Sequence, residues 1–288
     1  MEAFWMLLKI FAAVSAAATA LYIVTVGRGM SAICIAGIIL LRFVEYFLAL
    51  TLAYAALAYI VTELTVKLDE PQDKPSKFWQ WNFRQMADIV CFYTRMNITV
   101  SGREKLPNDK RYLLVCNHRA FFDPIVKAKV FGKENYIYIS KTSNFKIPVG
   151  GKVMHKCGCM ALNRENNREA LMTIKRAGEI LKNDVASIVI YPEGTRSRKD
   201  ELLPFHAGSF KIAQRAGAPV VVAAIRGTDD FKHNFPFKST KVYLDIIDVI
   251  DGDFVKEHNT KDTAELAQSM IQAKLDSVRN KENCSSNA

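Results

Sequence analysis

The sequence predicts an α/β fold: a mixed, largely parallel sheet flanked by helices and preceded by an N-terminal two-helix membrane hairpin. Three observations predict it. Two long apolar runs fill residues 1–66, short β-branched runs alternate with helical stretches from residue 98 onward, and the net charge is confined to the later part of the chain. Strands that alternate with helices are typical of layered sheets with substantial parallel pairing.

The N-terminal region is apolar and electrically balanced. Residues 1–66 contain three basic and three acidic residues, so the whole net charge of +10 lies in residues 67–288. The apolar run 3–26 is interrupted only by Lys9, and a second run extends from Met30 to Leu64. Each run meets the ~20 residues that a helix needs to cross a bilayer. We predict a membrane-anchoring hairpin over 1–66, which either crosses the membrane or enters one leaflet.

Two further regions follow the hairpin. Residues 67–97 are predicted to form a polar linker and then an amphipathic helix. The aromatic and basic residues of that helix suit a bilayer interface, although packing on a protein core explains them equally well. Residues 98–288 are predicted to form the α/β domain. The charge of this domain suits anionic partners and favours the cytoplasmic side of the membrane.

Seven strands are predicted in the α/β domain, each a short run rich in β-branched residues. They are Ile98–Gly102, Tyr112–Cys116, Tyr136–Ser140, Gly158–Asn163, Ala186–Tyr191, Pro219–Ile225 and Lys241–Val249. Helices are predicted near 122–131, 143–155, 165–182, 207–216 and 260–281. Ligands of open α/β sheets bind beyond the carboxyl ends of the strands, so polar residues that directly follow a strand are the candidates for a site.

The first candidate group follows the strand that ends at Cys116. It contains Asn117, His118, Arg119 and, five residues after the histidine, Asp123. A carboxylate at that distance accepts a hydrogen bond from one ring nitrogen and leaves the other free to take a proton. No nucleophile lies nearby in the sequence, so such a base would activate a hydroxyl group of the substrate. Taken alone, this spacing is common by chance and also fits a structural cap.

The second candidate group follows the strand Ala186–Tyr191. It reads Glu193-Gly194-Thr195-Arg196. Glycine permits a close approach of the backbone to a ligand, and arginine offers a planar fork of donors for a phosphate. Because two polar groups each stand at a strand end, the sequence predicts one shared site.

With these two groups the sequence resembles the glycerolipid acyltransferase family, in particular its 1-acylglycerol-3-phosphate acyltransferases. The family's His-x4-Asp block is matched by His118 and Asp123, and its Glu-Gly-Thr-Arg block by Glu193–Arg196. A block that ends in arginine is matched loosely by Met160–Arg164. The fourth block, Pro-x-x-Pro, lacks its second proline after Pro219. The resemblance spans about residues 76–250.

The resemblance implies a membrane-bound O-acyltransferase. The reaction would move a fatty acyl group from an acyl thioester, acyl-CoA or acyl carrier protein, to the free sn-2 hydroxyl of 1-acylglycerol-3-phosphate (lysophosphatidic acid), giving phosphatidic acid. It implies that His118 is the general base and that Asp123 orients its ring. Arg164 and Arg196 would hold the acceptor phosphate. Neither a metal ion nor a cofactor is implied.

Other residues of the two blocks receive looser roles from the resemblance. They would contact the acceptor, shape the turn or support the base, and they are Asn117, Arg119, Glu193, Gly194 and Thr195. Backbone N–H groups near Glu193 and Gly194 are the expected donors to the oxyanion of the tetrahedral intermediate.

Two alternatives remain at this point. The acceptor could be another lysolipid, such as a lyso-ornithine lipid or a lysophospholipid, or the protein could be a non-catalytic membrane-binding protein of the same fold. The presence of both His118 and Asp123 argues against the second. No nucleic-acid partner is predicted, because no recognition motif accompanies the positive charge. His155-x-Cys157-x-Cys159 lacks the second half of a zinc-binding pattern, so no metal is predicted.

Overall fold

The computed structural model describes residues 2–27, 29–68, 74–131, 135–197 and 201–286. The chain divides into two compact units, Met1–Glu70 and Pro71–Ala288. Arg28, in the predicted hairpin turn, and residues 69–73, in the predicted linker, lie outside the described residues.

The first unit consists of two helices, α1 (Glu2–Val26) and α2 (Ala32–Thr65). Both are long and apolar enough to cross a membrane, and almost none of their apolar surface is buried inside the protein. They contact each other through aromatic rings: the ring centroid of Phe11 lies 6.4 Å from that of Phe47 and 6.1 Å from that of Tyr54. The predicted pair of apolar helices is confirmed.

The charged residues of α2 are paired within this unit. The guanidinium of Arg42 donates to Glu45 Oε2 over 2.6 Å and to the hydroxyl of Tyr22, on α1, over 3.3 Å. The spacing of i and i+3 places the two charges on one face of the helix. An ionic pair in an apolar segment is therefore satisfied by its own helix and by the neighbouring one.

The second unit is built on one seven-stranded sheet. Its strands are β1 (Met96–Ser101), β2 (Leu113–Cys116), β3 (Tyr136–Lys141), β4 (Met160–Leu162), β5 (Ser187–Ile190), β6 (Val220–Arg226) and β7 (Thr240–Ile250). They lie in the order β1-β7-β6-β2-β5-β3-β4. Only β6 and β7 pair antiparallel among the described strands. The prediction of a mixed, largely parallel sheet is confirmed.

Helices cover both faces of the sheet. They are α3 (Lys77–Tyr93), α4 (Asp123–Phe131), α5 (Gly150–Lys156), α6 (Asn167–Lys182), α7 (Lys211–Ala216), α8 (Phe231–Asn234), α9 (Gly252–Glu257) and α10 (Thr260–Ser286). Val220, Val222 and Ala224 of β6 enter one core, and the alternate residues of β6 enter the other. A strand buried on both faces is a continuous apolar run, because neither face is solvated.

Helix α3 has two different faces. Trp79 and Phe83 pack against the core of the sheet, whereas Phe78 and Trp81 are exposed. The helix therefore packs on the protein, which was one of the two expectations, and it also presents aromatic rings outward.

The seven predicted strands are all present, with ends that differ by at most two residues. The helix predicted over 143–155 is wrong, since a 3-10 turn, Thr142–Lys146, is separated from α5 by an extended Ile147. Pro148 explains the break, because proline disfavours a helical conformation in the residue before it. The last helix extends to Ser286, five residues beyond the predicted end near 281, and the short α9 was not predicted.

Candidate active site

The two predicted polar groups meet at one edge of the sheet. Strands β2 and β5 are parallel neighbours, so their carboxyl ends lie side by side. The backbone N–H of His118 donates to Glu193 Oε1 over 2.6 Å. In the opposite direction, Ser197 donates its backbone N–H, over 2.9 Å, and its hydroxyl, over 3.2 Å, to the carbonyl of His118. The backbone of the histidine is thus held on both sides by the second group.

His118 and Asp123 form a dyad. The distance from His118 Nδ1 to Asp123 Oδ2 is 2.7 Å, and the side chain of the aspartate is fully buried whereas that of the histidine is 19% exposed. An ionised Asp123 keeps the proton on Nδ1 and leaves Nε2 as the nitrogen that accepts a proton. This geometry is that of a general base with its orienting carboxylate.

The carboxylate of Asp123 is satisfied on every side. Its Oδ2 also accepts the backbone N–H groups of Arg119, over 2.6 Å, and Ala120, over 3.0 Å. Its Oδ1 accepts the hydroxyl of Thr228 over 2.6 Å. A buried carboxylate needs such partners, because water cannot supply them.

These partners decide the protonation of Asp123. Burial by itself raises the pKa of the carboxyl, but the hydrogen bond from His118 and the nearby ammonium of Lys127 act in the opposite direction. The net effect is a pKa below the usual range of an aspartate. Asp123 is therefore ionised at neutral pH and can support a positive charge on the imidazole.

Sequence reasoning missed two residues that lie directly against the dyad. The ring of Tyr191 stacks on the imidazole of His118, with centroids 4.2 Å apart. Lys127, whose side chain is fully buried, donates from Nζ to the hydroxyl of Tyr191 over 3.1 Å. Lys127 stands four residues after Asp123 at the start of α4, so helical spacing was the signal that places it on the same face.

The structure corrects the role of Asn117. Its side chain is fully buried, and its amide donates to the carbonyl of Ile225 over 2.9 Å and accepts the N–H of Ile225 over 2.8 Å. The prediction that it contacts substrate is wrong, because both ends of the amide bind the backbone of β6. Asn117 instead links the end of β2 to the neighbouring strand β6 through these two hydrogen bonds.

Glu193 is also a structural residue of the turn. It is 3% exposed, and its second carboxylate oxygen accepts the N–H of Leu203 over 3.0 Å. Burial raises the pKa of Glu193, and the hydrogen bonds from Leu203 and His118 offset part of that rise. Its predicted contact with substrate is wrong, whereas the alternative, that it shapes the turn, describes what it does.

The turn after Glu193 brings further predicted residues together. Gly194 has φ +75°, and its N–H donates to the carbonyl of Tyr191 over 3.0 Å, so it is not available as an oxyanion donor. A side chain at Gly194 would lie 3.0 Å from the guanidinium of Arg164 and from the imidazole of His206. Arg164, the last residue of the loosely matched block Met160–Arg164, thus lies close to the Glu-Gly-Thr-Arg turn. His206 lies at the same turn, although it was not among the predicted site residues.

The remaining predicted residues lie at the surface of this edge. Thr195, Arg196 and Arg164 are exposed, so their donors are accessible to a ligand. Arg119 is more enclosed, and its guanidinium lies 2.6 Å from the carboxylate of Asp229. The exposed guanidinium groups of Arg164 and Arg196 make this edge of the sheet suited to an anionic ligand.

Cys157 and Cys159 are core residues. Both are buried, and burial raises the pKa of both thiols, that of Cys159 to about 12. Within the described part of the chain, no three His, Cys, Asp or Glu side chains are grouped closely enough to hold a metal ion.

Comparisons with known proteins show what this chain is similar to. Residues 97–226 match the family model described as Acyltransferase. The resemblance of this part of the chain to the glycerolipid acyltransferases is confirmed.

The particular relatives carry one name. The chain is 38% identical over 140 residues to the chloroplastic 1-acyl-sn-glycerol-3-phosphate acyltransferase BAT2 of Brassica napus, which covers 48% of this chain and 40% of the relative. It is 27% identical over 198 residues to the 1-acyl-sn-glycerol-3-phosphate acyltransferase of Borreliella burgdorferi, covering 68% of this chain and 78% of the relative. The chain spans about two fifths of the length of the plant and algal relatives that it matches.

A solved structure shares the fold. The crystal structure of the 1-acyl-sn-glycerophosphate acyltransferase PlsC from Thermotoga maritima superimposes with a TM-score of 0.59 at 23% sequence identity. The match covers 81% of this chain and 92% of that protein. It establishes the common architecture of the sheet and helices.

Proposed function

We propose that this protein is a membrane-bound 1-acylglycerol-3-phosphate O-acyltransferase. It moves a fatty acyl group from an acyl thioester to the sn-2 hydroxyl of lysophosphatidic acid. The observation that carries the proposal is the dyad of His118 and Asp123, joined over 2.7 Å at the strand ends of an acyltransferase domain. The names of the relatives support lysophosphatidic acid as the acceptor.

The dyad accounts for the movement of the proton. Nε2 of His118 removes the proton of the sn-2 hydroxyl while the oxygen attacks the thioester carbonyl. The tetrahedral intermediate then collapses, the thiolate leaves, and it takes the proton back from the imidazolium. Asp123 stays ionised throughout and stabilises the imidazolium. The products are phosphatidic acid and the free thiol, without an acyl-enzyme.

Arginines bind the acceptor phosphate in this scheme. Arg164 and Arg196 are exposed at the same turn, and a guanidinium binds a phosphate through two parallel hydrogen bonds. Acyl-CoA and acyl carrier protein are both anionic, so both fit the positive charge of the domain as donors. The apolar pair α1 and α2 supports membrane attachment, with the catalytic domain on the cytoplasmic side.

The test is an assay of phosphatidic acid formation. Detergent-solubilised wild type and His118→Ala are supplied with lysophosphatidic acid and, separately, with acyl-CoA and acyl carrier protein thioesters. We expect turnover by the wild type and a loss of about 10²–10⁴-fold in the variant, because general-base assistance is removed. Turnover that persists in the variant would show that His118 is not the base. The donor that supports turnover identifies the thioester class.

Two further arms separate the alternatives. Arg196→Ala is expected to raise the KM for lysophosphatidic acid more than it lowers kcat, and an unchanged KM would remove Arg196 from phosphate binding. If the wild type acylates a lyso-ornithine lipid or a lysophospholipid instead, lysophosphatidic acid is the wrong acceptor, whereas the proposed acyl-transfer reaction is retained. No product with any acceptor would favour the non-catalytic alternative.

A further inference from the structure

A charged side chain lies fully buried beside the dyad. Lys127, on α4, has no exposed surface. Its Nζ donates to the hydroxyl of Tyr191 over 3.1 Å and lies 4.5 Å from the centroid of the same ring. Burying an ammonium is costly unless partners compensate its charge, so a lysine in this position needs a reason beyond packing. Its position therefore points to a role in the site.

The contacts form a continuous chain that ends at the base. From Lys127 the hydrogen bond reaches Tyr191, whose ring stacks on the imidazole of His118 with an interplanar angle of 23°. Within its own plane, the imidazole is held by the hydrogen bond between Nδ1 and Asp123. The hydrogen bond to Asp123 fixes the direction of the ring, and the stack fixes its tilt.

We infer that Lys127 is a positioning residue for the acyl transfer: it anchors the ring of Tyr191 and, through that ring, holds His118 in the plane from which Nε2 reaches the acceptor hydroxyl. This role rests on the proposed function. Lys127 itself is too deeply buried to touch the substrate. A small displacement of a catalytic group lowers the reaction rate strongly. Loss of the contact that holds Tyr191 against His118 should therefore lower kcat measurably.

The same ammonium also opposes proton uptake by the dyad. Its charge lowers the pKa of Asp123. The other titratable or charged groups that surround the dyad are Cys116 at the end of β2, Arg119 in the catalytic turn, and Tyr191 and Glu193 after β5. Removing the ammonium of Lys127 takes away one cause of the low pKa of Asp123 and one positive charge near the dyad.

The first test compares Lys127→Met with Lys129→Met in the full-length protein. Both remove one ammonium from α4, but Lys129 pairs with Asp88, over 3.2 Å, and not with the dyad. We expect Lys127→Met to lower kcat about tenfold, to leave the KM for lysophosphatidic acid within about twofold, and to move the acid limb of the pH–rate profile to higher pH. Lys129→Met should leave kcat and the profile as in the wild type.

Thermal unfolding separates a loss of folding from a loss of positioning. Lys127→Met takes one positive charge from beside the buried carboxylate of Asp123 and the donor from the hydroxyl of Tyr191, so its Tm is expected to be lower than that of the wild type, and kcat and the pH–rate profile are measured at a temperature at which the variant is folded. Wild-type kcat and an unshifted profile in a folded Lys127→Met would overturn the inference.

A second variant tests the link through Tyr191. Tyr191→Phe keeps the ring on His118 and removes the oxygen that accepts from Lys127. We expect a smaller loss of kcat, about threefold, without a shift of the acid limb, and no further loss when it is combined with Lys127→Met. Losses that multiply in the double variant would show that the two residues act independently, which contradicts the chain of contacts.

A readout without turnover separates this inference from the proposed function. Diethyl pyrocarbonate modifies the unprotonated imidazole, and the difference between wild type and His118→Ala isolates the reaction of His118. We expect the pH at which His118 becomes reactive to rise in Lys127→Met. If the wild type acylates no lysolipid and this shift is present, the proposed function fails while the coupling of Lys127 to the dyad stands. An unchanged reactivity profile would contradict that coupling.

Discussion

At the scale of single residues, the site depends on polar side chains that the fold buries and then satisfies. Asn117 and Asp123 are completely buried, and both ends of the Asn117 amide and both carboxylate oxygens of Asp123 bind defined partners. Leaving such a partner unsatisfied costs more than the hydrogen bond itself contributes, because no water replaces it. Substitutions here act on stability and on the position of the base together.

The first prediction concerns Asn117. Asn117→Ala removes the amide that binds both the N–H and the carbonyl of Ile225, so two buried backbone groups lose their partner. We expect the free energy of unfolding to fall by about 1–3 kcal/mol, measured by thermal unfolding in detergent. The control is Asn82→Ala, whose side chain is exposed and bonds only within its own helix. Equal stability of the two variants would contradict the structural role of Asn117.

The second prediction concerns the pH dependence of stability. The pKa of Asp123 is lowered on folding, so its ionised form stabilises the protein above the ordinary aspartate pKa, and this contribution is lost as the pH falls through the lower folded value. The fall in Tm between about pH 5 and pH 2 should therefore be smaller in Asp123→Asn than in the wild type. Asp109→Asn, at an exposed carboxylate, should leave that loss unchanged. The prediction fails if both variants follow the wild-type curve.

At the scale of elements, the turn after β5 decides how the two sequence blocks meet. Its glycine has a left-handed backbone conformation, and it lies against Arg164 and His206. The extended Ile147 before Pro148 is a second example, since it divides a stretch whose apolar pattern predicted one helix. In both places one backbone conformation determines what the neighbouring side chains contact.

The third prediction compares two glycines. Gly194→Ala adds a Cβ at φ +75°, 3.0 Å from the guanidinium of Arg164 and the ring of His206. We expect a cost of about 1–2 kcal/mol in stability and a several-fold rise in the KM for lysophosphatidic acid. Gly208→Ala, where nothing lies within 4 Å of the added atom, should be neutral in both respects. A neutral Gly194→Ala would show that the turn tolerates a side chain.

At the scale of the whole molecule, the chain combines an apolar unit with a basic one. The compact units divide between Glu70 and Pro71, and both apolar helices lie in the first. Since the net charge of +10 lies in residues 67–288, the second unit is the basic one, and the first unit is the apolar one.

The fourth prediction follows from that division. We expect the full chain to remain in the membrane fraction after washing with alkaline carbonate, because α1 and α2 present apolar surface that lipid would cover. A chain of residues 71–288 should be released by the same wash. Release of the full chain would show that the helices do not insert, and retention of 71–288 would place the attachment in the second unit.

The sequence by itself determined the architecture and the dyad, because both have short-range signals. Alternating β-branched runs mark the strands, the length of the apolar runs marks α1 and α2, and five residues separate His118 from Asp123. A motif with such a short spacing can be recognised in the sequence without the structure. Residues Val220–Val222 of the fourth block belong to β6, a core strand that is buried on both faces.

Only the tertiary structure decided which polar residues face outward and which are used by the backbone. Asn117 directly precedes the base in sequence and Glu193 lies 75 residues after it, yet the pairing of β2 with β5 and β6 places backbone donors and acceptors against both side chains. Tyr191, after β5, stacks on His118, and Lys127, on α4 and 64 residues before Tyr191 in the chain, donates to its hydroxyl. Such contacts depend on strand order and burial, which are long-range properties, and no local pattern encodes them.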